Sequence, residues 1–145
     1  MKNTATKLNQ NPTLKKDQEN SDKGRFTKTR ELRRLFLDEL EDIYWIEKAI
    51  VKTLPRMIKN ATGVKLVDVL SFYLEKTKEH VLQMGAIFYA IGEKAKTKKS
   101  ELMSGLIKDG GKLIESASKG IVRDAAIMSL SQKVEHYKMA MYGTL

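Results

Sequence analysis

The chain is 145 residues long, carries 27 Lys and Arg against 18 Asp and Glu for a formal net charge of +9, and contains no cysteine. That length fits one domain, and the missing thiols exclude disulfides, thiolate metal ligands and cysteine nucleophiles together. No run approaches the roughly 20 apolar residues needed to span a bilayer, and the amino terminus lacks the apolar stretch of about 7 to 15 residues of a secretory signal.

The cytoplasm is therefore the expected compartment, with no membrane contact. The positive charge would draw nucleic acid nonspecifically. Residues 1–26 are a string of Lys, Asn, Gln, Thr and Asp with few large apolar side chains. They are expected to be a disordered basic tail, because nothing in them offsets the entropy of ordering. A helical domain is expected over 27–145.

Within that domain apolar residues recur at three and four rather than at two, and only two prolines occur, so helices are predicted throughout. The first should run from Thr29 to Ala61, kinked by Pro55 and ended by Gly63 in the left-handed conformation. The second should run from Val64 to Ile91, closed by Gly92, and lie antiparallel to the first across a short connection. A basic loop with Lys94, Lys96, Lys98 and Lys99 follows. Ser100 is the expected N-cap of a shorter helix reaching Ala117, which Gly110 and Gly111 should weaken. After Gly120 a fourth helix should run from Ile121 to the last residue, where no stop signal is seen.

Three seams follow from the spacing. In the first helix Phe36, Leu40, Ile43, Glu47, Ile50, Leu54 and Met57 line one face, which puts the Glu47 carboxylate among apolar side chains. Glu47 should have a compensating partner, unless it sits at the seam's edge beside Lys48 or Lys52. In the fourth, Ile121, Ala125, Met128, Gln132, Glu135, Met139 and Tyr142 alternate in the same way, with His136 about 100° round from Glu135. This helix is expected to be the most buried, with Asp124, Ser131 and Lys138 on its polar edge. In the second helix Leu70, Leu74, Thr77, Val81, Met84, Phe88 and Ile91 form the seam, His80 flanks it, and Glu75 lies almost opposite, where it should be solvated.

These residues carry a family resemblance. Asp38 to Ile50 (DELEDIYWIEKAI) followed by Leu54 and Pro55, LEKT at Leu74 to Thr77, MSGLI at Met103 to Ile107, and VRDAA, QKVEHY and YGTL in the last helix resemble the YciF and YciE family of ferritin-like bacterial stress proteins. The match covers about residues 30 to 145, with QKVEHY through YGTL its most specific part. The resemblance implies an antiparallel ferritin-like bundle, a homodimer, a role in stress response, and a di-iron or di-manganese centre between the helices. Its acidic motif positions fall on Glu47, Glu75 and Glu135. His80 and His136 complete the candidate metal ligands, and Glu75 rests on the resemblance alone.

The sequence departs from that family at three points. Lys138 stands where a Glu is usual, and Ser104 with Gly105 where Glu-Gly is usual. The chain stops at Leu145, where family members continue into a further acidic helix, so the bundle is expected to be truncated and the metal site incomplete.

Three functions compete: a metal module whose carboxylates and imidazoles hold iron or manganese, a non-catalytic dimerising scaffold, and nucleic-acid association through the tail and the Lys94 to Lys99 loop. No nucleophilic triad, phosphate-binding loop or dinucleotide fingerprint is present, and no catalytic residue is assigned.

Overall fold

The computed structural model describes residues 12–145, which form four helices in the order α1 (Pro12–Asn60), α2 (Val64–Ala90), α3 (Glu101–Ser116) and α4 (Ile121–Thr144). Among the described residues there is no strand. The chain divides into two units, one ending at Phe36 and one running from Leu37 to Leu145.

α1 begins well before the expected Thr29. Pro12 suits a first helical position, where its missing N–H is not needed. Of the residues between it and Thr29, only Gly24 strongly disfavours a helix. Residues 13 and 15–35 are exposed. Residues 1–11 of the expected tail lie outside the described residues. Pro55 does not end the helix, which continues to Asn60.

In the second unit, Ile46, Ile50, Leu54 and Met57 of α1 pack with Leu70 of α2, Met103 and Ile114 of α3, and Ile127, Leu130 and Val134 of α4 in one core. The predicted seams of α1 and α2 are the buried ones, from Leu40 to Met57 and from Leu70 through Thr77 to Phe88. α1 and α2 run antiparallel, as the contacts of Tyr44 with Phe88 (ring centroids 5.6 Å apart) and of Glu47 with His80 (3.4 Å) require. α4 also opposes α1, because Asp124 meets Thr62 whereas Tyr142 meets Glu47.

The connections show how local chemistry sets this arrangement. Gly63 is not left-handed. It is the extended N-cap of α2 (φ −73°, ψ 124°), and its N–H donates to Asp124 Oδ2 at 2.8 Å. The Thr62 N–H donates to Asp124 Oδ1 and its hydroxyl to Oδ2, both at 2.8 Å. The α1–α2 turn is thus held by one carboxylate from α4, which takes the place of a capping side chain. Gly92 (φ 72°) and Gly120 (φ 106°) take the positive φ that favours glycine. Ser100 caps α3 as expected, accepting from the Met103 N–H at 3.3 Å. Arg123 donates twice to the Ala117 carbonyl, at 3.1 and 2.9 Å, satisfying the end of α3.

Gly110 does not break α3. It lets α3 close onto α4, because a Cβ at this position would fall inside the Leu130 side chain. Nothing lies within 4 Å of the corresponding point at Gly111. Gly110→Ala should therefore destabilise the protein by about 1–3 kcal/mol through overpacking, whereas Gly111→Ala should stabilise it by about 0.5–1 kcal/mol through helix propensity. Thermal melts of the two variants should move in opposite directions.

The Asp124 carboxyl is held below the usual carboxylate range, chiefly by the Thr62 backbone N–H and also by the Thr62 hydroxyl and Gly63 N–H. A depressed value means stability that is present above the ordinary carboxylate pKa and is lost as pH falls through the folded-state value. Asp124→Asn should therefore flatten the acid limb of a denaturation-against-pH curve. If the curve kept its full acid slope, the turn would not depend on the ionised form.

Candidate functional site

The only fully buried carboxylate among the described residues is Glu47, at 0% exposure. It occupies the α1 seam between Ile43 and Ile50, positions filled by apolar side chains of ordinary size. A charge there needs partners, and α2 and α4 bring them. Tyr142 donates its hydroxyl to Glu47 Oε1 at 2.8 Å. His80 Nδ1 stands 3.4 Å from the same oxygen. Lys138 Nζ lies 3.2 Å from Oε2, with its side chain only 5% exposed.

Lys138 is shared. Its ammonium also lies 3.4 Å from Glu135 Oε1, one turn back on α4, donates to the Tyr73 hydroxyl at 3.4 Å, and sits 5.2 Å from the centre of the Tyr73 ring. One cation is therefore set between two carboxylates. Glu47 Oε2, Glu135 Oε1 and His80 Nδ1 are nevertheless buried without a well-aligned hydrogen bond. The pairing is by charge more than by directed bonds. The Tyr142 hydroxyl is pushed up in pKa by burial first, then by its hydrogen bond to Glu47 and by the charges of Glu47 and Glu135. It stays protonated and acts as a donor.

The sequence-predicted ligands divide accordingly. Glu47, His80 and Glu135 come together. Glu75 does not: its side chain is 66% exposed and pairs with Lys78 at 2.7 Å, as the helix period implied and the family motif did not. His136 also turns away, exposed, with Nδ1 donating to the Gln132 carbonyl at 2.8 Å. Among the described residues no group of three or more His, Asp or Glu is placed to hold a metal ion.

Lys138, Tyr142 and Tyr73 complete this cluster beyond the sequence-based candidates, Tyr73 having no expectation attached to it. The sequence puts Lys138 on the polar edge of α4, yet it is buried. The buried face of that helix runs through Ala126, Ile127, Leu130, Val134 and Lys138. The predicted seam residues Ile121, Met128, Met139 and Tyr142 are exposed instead, so α4 is not the most deeply covered helix. The spacing of four from Leu130 to Val134 to Lys138 was the available signal.

Removing the lysine should expose the cost of the carboxylate. Lys138→Met leaves Glu47 buried without a countercharge and should destabilise the protein by about 3–5 kcal/mol. Glu47→Leu combined with Lys138→Met should recover most of that loss, because both charges leave together. A double-mutant cycle by chemical denaturation checks this, and additive losses would show that the pair is not coupled.

The comparisons with known proteins agree with this architecture. Protein YciF of Escherichia coli (strain K12) is 35% identical over 112 residues, covering 77% of this chain and 68% of that protein. The crystal structure of the E. coli stress protein YciF superposes with a TM-score of 0.72 at 34% identity, over 77% of this chain and 71% of the other. YcfI from Rhodopseudomonas palustris gives a TM-score of 0.74 at 37% identity, over 76% and 70%. The DUF892 family, described as a domain of unknown function, matches residues 31–145. With its seams, caps and buried Glu47–Lys138 pair carried on an all-α, ferritin-like bundle, this chain belongs to the DUF892 family of YciF-type proteins.

Proposed function

We propose that the protein is a non-catalytic helical stress protein that works as a dimerising scaffold in the cytoplasm, with Lys138 standing where a resident metal ion would otherwise balance Glu47 and Glu135. The observation that carries this reading is the buried ammonium at 3.2 and 3.4 Å from the two carboxylates. A divalent cation and an ammonium cannot share that space, since the like charges would repel in a poorly screened interior. The donor set that remains, the Glu47 and Glu135 carboxylates already paired with Lys138 and the His80 imidazole beside Glu47, does not fit a di-iron or di-manganese centre, which draws ligands from four helices. No reaction step is derived through such a centre.

The stress role rests on the name of the E. coli relative, a stress protein of the same fold. Support for self-association comes from the face shared by α2 and α4. Val69, Phe72, Ile121, Met128 and Met139 are all exposed there, and a groove of about 830 Å³ runs between the two helices. Apolar patches of this kind mark interaction surfaces.

Metal loading tests the proposal. Wild-type protein incubated with Fe(II) or Mn(II) and desalted should retain no stoichiometric metal. Lys138→Glu, which turns the internal cation into a third acid beside Glu47, Glu135 and His80, should gain it. Stoichiometric metal in the wild type that disappears in Glu47→Gln would overturn the scaffold reading in favour of an iron or manganese centre. In sedimentation, the wild type should show a concentration-dependent dimer that Phe72→Glu shifts to monomer.

A further inference from the structure

We propose that α1 carries, along its segment from Lys16 to Arg34, a binding stripe for the phosphate backbone of double-stranded nucleic acid. Residues 13–36 hold eight Lys and Arg against four Asp and Glu. A disordered tail would present these charges in every direction. The helix sorts them. Lys16, Lys23 and Arg30 recur every seven residues and Arg34 follows four later, so at 100° per residue the four lie within about 40° of arc. At 1.5 Å per residue they span about 27 Å.

All four are exposed, and none is paired with an acid among the described residues. The acid nearest their direction is Glu19, and Asn20 on the same side can donate to phosphate oxygens, whereas the Thr27 hydroxyl already donates to the Lys23 carbonyl at 2.9 Å.

The occupant follows from the chemistry of the stripe. A straight, rigid row of cations about 27 Å long suits a stiff helical polyanion, whose own turn is about 34 Å. A flexible single strand would need aromatic platforms for its bases, and Phe26 is the only aromatic residue before Phe36. Insertion into an anionic membrane would need an apolar face opposite the charges. Opposite this stripe Leu32 is exposed but flanked by Arg25, Lys28 and Gln18, so no continuous apolar face stands there. A second copy of the helix is disfavoured too, because lysine and arginine at a seven-residue repeat would oppose their own kind.

Fluorescence anisotropy of the full-length protein with a labelled 25-base-pair duplex of mixed sequence tests the stripe. The wild type should bind in the micromolar range, with a logarithmic affinity that falls linearly with the logarithm of salt concentration. Lys23→Glu combined with Arg30→Glu should weaken binding about tenfold or more and lower the salt slope by roughly 2, one step per lost phosphate contact. Both positions are exposed, so unchanged circular dichroism and melting confirm that the fold is intact.

The control is Lys94→Glu with Lys96→Glu in the exposed loop, which changes net charge by the same amount and should leave most of the affinity. The proposal is overturned if the wild type does not bind, or if the loop variant loses as much as the stripe variant, since bulk charge would then suffice. It is equally overturned if the stripe variant keeps wild-type affinity for the duplex while losing affinity for phosphatidylserine vesicles.

Discussion

A carboxylate buried at the centre of an apolar seam dictates much of how this bundle is put together. Glu47 is covered on every side, and an unpaired charge in such a place costs several kcal/mol or is driven to take up a proton. The fold answers with groups drawn from two other helices, His80 from α2 and Lys138 with Tyr142 from α4. Each must arrive at the right height along its own helix. The seam of α1 therefore sets the register of its neighbours in a way that Leu at the same position would not, since apolar contacts tolerate sliding and a charge pair does not. The buried Lys138 ammonium meets the electrostatic need of Glu47 from within the chain.

Much of this was legible before any coordinates. The α1 seam, including the anomalous Glu47, and the α2 seam follow from a clean separation of apolar and polar faces, which leaves a helix only one way to turn. Ser100 and Gly92 could be read because each meets a local requirement of the backbone. α4 could not be oriented by the same reasoning. It is apolar on most sides, so two different stripes satisfy the spacing rule, and the one from Ile121 to Tyr142 is exposed at Ile121, Met128 and Met139 and reaches the interior only through the Glu135 carboxylate and the Tyr142 hydroxyl. Lys138 was hidden for a related reason: lysine is almost never fully buried unless paired, and its partner lies 91 positions earlier in the chain. Gly63 departs from the left-handed expectation because the group that keeps it extended is Asp124, on another helix. Glu75 is exposed, as the helix period alone predicts.

The two faces of α4 give the bundle different characters on its two sides. Toward α1 and α3 the packing is dense, close enough at Gly110 and Leu130 to exclude a single methyl group. Toward α2 the same helix leaves Met128 and Ile121 uncovered beside Val69 and Phe72. α4 thus has one closely packed side and one open apolar side.

The bonds made by Asp124 bear on the order in which the chain assembles. α1 and α2 are joined by a short turn and can meet early, since closing a small loop costs little entropy. That turn nevertheless remains unsatisfied until a carboxylate 62 residues further along arrives, and Glu47 waits for Tyr142 across 95 residues. Distant contacts of this kind are formed late on the folding route. The α1–α2 hairpin by itself would leave stranded amides at one end and a stranded charge in its middle. Docking of α4 relieves both at once, so weakening either contact should act mainly by hastening unfolding and leave the rate of folding nearly unchanged.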